Sequence, residues 1–396
     1  MMATDDILTV AYTVRGKPAE AFRAFTNVTA LRDWLCNLAE VEARSGGRFF
    51  FAWQDGHQAW GRFSIFEPGK RLAFTWHHDA QPAGSTVEVR LAPAKTGTRV
   101  TVKHSGLGDA AGENGAAWRS ALENLDSLLA DGIDLRYARR PRLGIFIDEF
   151  TAEAAARLKI PARGVLLAGT APESGAEAAG LQKDDVLVTF DGAPLAHFND
   201  LAPLVSRRKA GDAVAVDYVR GGERHTTTLT LGHFPIPKVP ATGKALAKLA
   251  RATHSRINAE LARKTRRLTE VDAGRAPKKG EWSVKQLVAH LILTERDLQS
   301  WAAQMINDRE VGEDLEYRPN VCFRIDALVD RLKTLPALRR ELAIAQEETA
   351  RFAEQLPRDF VTERKHLYRR FAGWIVEVTP GHFDQEHAEQ LAGLVK

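Results

Sequence analysis

Histidine and cysteine offer this chain its widest scope for chemistry, and their spacing limits what that chemistry can be. There are 12 histidines and 2 cysteines in 396 residues. His57, His77, His78 and His104 crowd the first third, but none has the spaced partner that a metal centre or an activated nucleophile requires. Cys36 and Cys322 lie far apart in the chain, so no disulfide framework is expected and a reducing, cytoplasmic setting fits. No Gly-rich serine-nucleophile motif is present. His382 and His387 stand five apart. At about 100° per residue a regular helix would separate them by about 140°, against about 40° for an i, i+4 pair.

Length and composition bound the scaffold that must position these groups. A chain of 396 residues with 44% hydrophobic and 27% charged residues is expected to form two to four domains, each with its own core. The net charge of +4 and pI near 9.0 are mild, because 55 basic residues interleave with 51 acidic ones, so nucleic acid is not an expected partner. No stretch approaches 18 consecutive apolar residues, and Met1 to Val10 lacks a basic region followed by an apolar one. Membrane insertion and secretion are therefore not expected.

Residues 1–136 read as a strand, two short helices, a β-meander and a long terminal helix. Leu8, Val10, Tyr12 and Val14 alternate as in a half-buried strand; Arg48–Trp53, Trp60–Phe66, Arg71–Trp76, Ser85–Leu91 and Thr98–His104 are short β-rich runs. Trp118, Leu122, Leu125 and Leu129 recur at helical spacing up to Gly132. The order predicts a helix-grip fold around an apolar cavity. Lys17-Pro18-Ala19-Glu20-Ala21-Phe22, Gly46-Gly47-Arg48-Phe49, Arg71-Leu72-Ala73-Phe74-Thr75-Trp76 and Gly97-Thr98-Arg99-Val100 resemble the START-like (SRPBCC) domains related to activators of the heat-shock protein 90 ATPase. The resemblance implies the fold and a cavity for a small hydrophobic ligand or partner. Trp34, Trp53, Trp60 and Trp76 are its expected lining, with plain core packing as the alternative.

Residues 140–234 follow the break Arg139-Arg140-Pro141-Arg142 and are again short-stranded, with a helix over Phe198–Arg208. Gly164-Val165-Leu166-Leu167, Ala171-Pro172-Glu173-Ser174-Gly175, Gly180-Leu181 and Lys183-Asp184-Asp185-Val186-Leu187-Val188 resemble a bacterial PDZ domain of the high-temperature-requirement protease type. The family usually has Gly before the first Asp, where this chain has Lys183. The resemblance implies a peptide groove: backbone N–H groups of Leu143-Gly144-Ile145 for a C-terminal carboxylate, an added strand beside Ile145 to Ile147, and a pocket of Leu201, Leu204 and Val205. An empty groove in a mere spacer is the alternative.

Residues 242–396 follow a Pro-rich linker and are helical to the end, which makes the whole chain a multidomain α+β protein. Ser283 and Gln286 form a capping box for one helix, and the last helix is predicted to start after Pro380-Gly381. Trp282-Ser283 through His290-Leu291, and Glu386-His387-Ala388-Glu389-Gln390-Leu391, resemble the DinB superfamily of four-helix bundles. In metal-binding members three histidines hold a divalent ion, zinc or nickel, and some members are thiol transferases. His290, His387 and His382 are the ligands this implies. The five-residue spacing departs from the pattern unless His382 swings in from an N-terminal cap, and satisfied core histidines are the alternative, as for His254.

The expected function is a cytoplasmic binding or adaptor protein with a peptide groove and no catalytic residues assigned. A metal-dependent thiol transferase and a stress-related chaperone cofactor are the competing expectations.

Overall fold

A computed structural model describes residues 7–394 except 80, 279 and 310–320. The multidomain α+β expectation holds. Strand β1 (Ile7–Val14) is followed by helices α1 (Pro18–Thr26) and α2 (Val28–Trp34). Strands β2 (Leu38–Val41), β3 (Arg48–Ala52), β4 (Gln58–Glu67), β5 (Arg71–His78), β6 (Gln81–Ala94) and β7 (Gly97–Ser105) form the meander, and α3 (Ala111–Asp131) closes the module. The antiparallel sheet has the order β1-β7-β6-β5-β4-β3-β2, so the first strand pairs with the last. Trp118, Leu122 and Leu125 of α3 pack on Val10, Phe74, Val87 and Val102 of the sheet. The helix stops at Gly132, whose φ of 69° and N–H bond to the Leu128 carbonyl make a left-handed cap.

The second module contains α4 (Leu135–Ala138), β8 (Pro141–Arg142), β9 (Ile145–Ile147), α5 (Ala152–Leu158), β10 (Val165–Thr170), α6 (Gly175–Ala178), β11 (Val186–Phe190), β12 (Ala193–Pro194), α7 (Phe198–Ser206), β13 (Ala213–Arg220), β14 (Glu223–Thr230) and β15 (Gly232–His233). Its sheet runs β14-β13-β11-β10-β9, which leaves β9 at an edge. Asp185 is fully buried and held by Arg220 at 2.6 and 2.7 Å. The left-handed residue of the preceding turn is Asp184, with φ 69°. The glycine-like position is therefore Asp184 and not Lys183.

The third module is all helical: α8 (Gly243–Thr265), α9 (Glu270–Gly274), α10 (Val284–Ile306), α11 (Val321–Leu332), α12 (Leu335–Glu354), α13 (Arg358–Thr362) and α14 (Lys365–Gly373). Ser283 caps α10 through the expected capping box. Pro336 falls in the first turn of α12, where its missing N–H costs nothing. The prediction that the last helix starts after Pro380-Gly381 is corrected. From α14 the chain stays helical through a π-turn (Trp374–Val378), α15 (Thr379–Gly381), a second π-turn (His382–His387) and α16 (Ala388–Leu394). Pro380 lacks an N–H and crowds the carbonyl four residues back; a widened turn before it relieves both problems without ending the helix.

The chain forms two compact units, Met1–Asp134 with Pro237–Lys396, and Leu135–Ile236. The first and third modules therefore pack as one body. Charged groups join them. Asp33 meets Arg370 at 3.2 Å and His366 at 3.5 Å, Lys17 meets Glu363 at 2.9 Å, and Arg23 and Arg364 share Asp308. Burial pushes the Asp33 carboxyl up, yet His366 and Arg370 outweigh it and hold it below its ordinary range.

Candidate functional site

The π-turn resolves the histidine spacing. Its hydrogen bonds run from each N–H to the carbonyl five residues back, as from Ala388 to Phe383, so residues five apart return to nearly the same face. His382 and His387, split on an ordinary helix, come together: their Nε2 atoms are 2.9 Å apart. His290, on the second turn of α10, brings its Nε2 to 3.3 Å from that of His382. The cap at Ser283 sets this phase, and Trp282 just before it lays its ring 4.8 Å from the His290 ring. Arg256 of α8 grips Asp384 in the π-turn with two bonds of 2.9 Å. His387 turns its Nδ1 to Gln390 Oε1 at 3.0 Å. The implied ligand set is therefore assembled, with His290 and His387 buried and His382 half-buried.

These residues fit a divalent ion. Nitrogen–metal bonds of 2.0–2.1 Å in a tetrahedral site put ligand nitrogens about 3.3 Å apart, and an all-imidazole donor set suits zinc, nickel, copper or iron. His254 is not part of this cluster. Its Nε2 lies 3.2 Å from the buried Glu295, which also accepts from Thr349 at 2.6 Å, so it is a satisfied core residue.

In the helix-grip module the expected tryptophan cavity is corrected. Trp34 is 1% exposed and donates to the Ala24 carbonyl at 2.7 Å; Trp53 donates to the Leu35 carbonyl at 2.6 Å; Trp60 is 37% exposed and stacks on His77. Of the four, Trp76 alone borders the space between sheet and helix, where Trp118 joins it; that space measures about 10 Å³, room for about one water, while Trp34 borders a separate hollow of about 190 Å³ that Arg364 and His366 also line. Phe49, Phe51, Phe63 and Phe74 fill the rest, as edge-to-face and stacked pairs allow.

The same core hides a polar chain that the sequence did not reveal. Trp118 Nε1–H donates to His104 Nδ1 at 3.2 Å, and His104 Nε2 is 2.8 Å from Ser85 Oγ. Indole nitrogen can only donate, so Nδ1 carries the lone pair and Nε2 the proton. The Ser85 hydroxyl in turn donates to the Trp76 carbonyl at 3.2 Å. His104 cannot act as a base toward Ser85. Burial first, and His78 second, push its pKa down to about 4.

In the second module Gly144 has φ 81°, and a Cβ there would meet Ser174 Cβ at 2.2 Å. The Leu143 and Gly144 carbonyls turn inward, accepting from Ala176 at 3.0 Å and Ala171 at 2.8 Å. Beside this turn, β9 pairs with β10 alone among the described residues, and Phe146 and Ile147 are 38% and 39% exposed. Leu201 is a core residue rather than a groove wall, and the Leu143 side chain is buried in the same core; Leu204 and Val205 are half-buried. Phe198, which sequence reasoning missed, shares the face of Leu201 and Val205 at i+3 and i+7 and is 48% exposed. It was legible as the first residue of the predicted helix.

Comparison with known proteins settles two of the modules. Residues 15–130 match the family model described as activator of Hsp90 ATPase homolog 1-like protein, and residues 134–231 match the PDZ domain. The chain carries both domains. A probable periplasmic serine endoprotease DegP-like of Marinomonas sp. is 32% identical over 123 residues, 31% of this chain and 25% of that protein. The periplasmic serine endoprotease DegP of Salmonella typhimurium is 29% identical over 28% of this chain and 23% of its own length. The chain thus spans about a quarter of the curated relatives it matches. Among solved structures, protein MLL2253 from Mesorhizobium loti is similar at 27% identity and TM-score 0.29, covering 31% of this chain and 96% of that one. The Aha1 dimer from Colwellia psychrerythraea is similar at 19% identity and TM-score 0.29, covering 32% and 97%. The expectation of a cytoplasmic setting is overturned: the curated relatives of the PDZ region are periplasmic proteins, matched over about 30% of this chain. A low cysteine count excludes a disulfide framework and does not by itself fix a compartment. Among the described residues, no helix is long and apolar enough to cross a membrane.

Proposed function

We propose that this chain is a multidomain binding protein whose PDZ groove receives the C-terminal end of a partner polypeptide. The PDZ and activator-type domains support a binding or adaptor role. The observation that carries the finer reading is the edge strand β9, with Phe146 and Ile147 exposed, leading directly out of the left-handed Gly144 turn. An incoming chain end would pair along β9 and set its last side chain against Leu204, Val205 and Phe198. A C-terminal peptide array followed by fluorescence polarisation tests this. Peptides with a free carboxylate and an apolar last residue should bind, and their amidated forms should lose about tenfold or more. Equal binding of both forms refutes it.

A second reading, favoured by the three converging Nε2 atoms, is that the helical module holds a divalent ion at His290, His382 and His387, as a DinB-like thiol transferase would. Bound there, zinc or nickel would supply Lewis acidity toward a water or thiol. The three imidazoles bind and orient the ion, the Trp282 ring shields His290, and the Arg256–Asp384 pair anchors the π-turn to α8. Stoichiometric metal in the purified protein, lost in His290→Ala, is the expected result; protein free of metal after incubation with zinc and nickel refutes it.

A further inference from the structure

We propose that Gln390 is the positioning residue of the three-histidine site, selecting the tautomer of His387 that leaves Nε2 free for an ion. The inference rests on the metal reading above and concerns how this chain prepares the site. A neutral imidazole has one N–H and one lone pair, and the partner of one nitrogen decides the state of the other. In His387 the two nitrogens have different surroundings. Nε2 faces the cluster interior, 2.9 Å from His382 Nε2, and Nδ1 faces Gln390 Oε1 at 3.0 Å. An amide oxygen accepts only, so it draws the proton to Nδ1 and leaves the lone pair on Nε2, pointing where the other two Nε2 atoms converge.

The opposite arrangement shows how much depends on this side chain. If Gln390 presented its NH2, Nδ1 would have to accept, the proton would move to Nε2, and the centre of the cluster would contain an N–H that repels a cation. The helix makes the correct pairing local. His387 ends the π-turn and Gln390 lies three residues on in α16, the distance at which side chains on one α-helical face meet. Both are shielded from water in part, since His387 is 5% exposed and Gln390 half-buried, so water is a weak substitute for the amide oxygen. A hydrogen-bond acceptor behind a ligating histidine is worth about 10–100-fold in metal affinity.

The test uses the full-length protein and zinc. Dissociation constants from chelator competition at one pH should rise about 10–100-fold in Gln390→Leu. Gln390→Glu, whose carboxylate accepts more strongly, should bind at least as tightly as the wild type. A nitrogen-detected imidazole spectrum of the metal-free wild type should show His387 with its proton on Nδ1, a measurement that needs no variant to fold. Wild-type affinity in Gln390→Leu, or a His387 proton on Nε2 in the metal-free protein, overturns the proposal and leaves the metal reading standing. A wild type that takes up no zinc overturns both.

Discussion

His104 should make the helix-grip module sensitive to acid by an amount that can be worked out. It is 1% exposed, its Nδ1 accepts from Trp118 and its proton is committed to Ser85, so the folded module holds it neutral. Its pKa is pushed down to about 4, whereas the unfolded chain keeps the ordinary value of 6.5. Below pH 6.5 the unfolded state therefore binds a proton that the folded state refuses, and stability falls as pH falls. The contribution is fully present above pH 6.5. At about 1.4 kcal/mol per unit, a depression of this size is worth about 3 kcal/mol in all, of which about 2 kcal/mol is gone by about pH 5. The assay is hydrogen exchange of β5 to β7 amides at pH 7.5 and 5.0, corrected for intrinsic rates, in the wild type and in His104→Gln, which cannot titrate. The variant is destabilised at pH 7.5, and the gap between the two proteins should shrink by about 2 kcal/mol at pH 5.0. A gap that stays constant within about 0.5 kcal/mol would refute the locked-neutral assignment, as would a His104 imidazole that titrates near 6.5.

Other consequences can be checked by substitution. Gly144→Ala places a Cβ against Ser174 at a positive φ and should destabilise the PDZ unit by about 1–3 kcal/mol in urea titration, with partial recovery when Ser174→Gly is added. Arg220→Met strands the fully buried Asp185 carboxylate and should cost about 2–4 kcal/mol by the same measurement; a change below about 0.5 kcal/mol would mean that water replaces the guanidinium. The tryptophans should divide by packing. Trp34→Ala should cost about 3–5 kcal/mol and Trp60→Ser less than about 1 kcal/mol, and a fluorescent apolar dye should not bind the native helix-grip module.

Local signals carried most of the fold. Gly132 stopped α3 where the helical spacing ended, and Ser283 with Gln286 opened α10, because each is a statement about backbone groups a few residues away. Strand β2 was missed: four residues at a sheet edge carry too short a pattern to register. The site failed and succeeded for one reason. Angular arithmetic on His382 and His387 assumed a uniform helix; a second widened turn at His382–His387, its flanks packed in the core through Phe383 and Leu391, reunites them, and no local residue signal announces it. The tryptophan cavity failed because composition does not distinguish a lined space from one filled by phenylalanine. His104 was singled out by type alone, and its donor and acceptor partners lie 14 and 19 residues away across the sheet and helix.

The helix-grip and helical modules share one compact unit although the PDZ domain is spliced between their sequences. Such a body is discontinuous: to assemble, residues near 134 and 237 must be brought into the same structure across everything synthesised between them. If the inserted domain folds first, fewer free residues separate the two flanking halves, and the entropy of closing the circuit falls. A lesion confined to the PDZ core, such as the loss of Arg220, should then slow the joining of the two flanking halves while leaving their finished contacts unchanged.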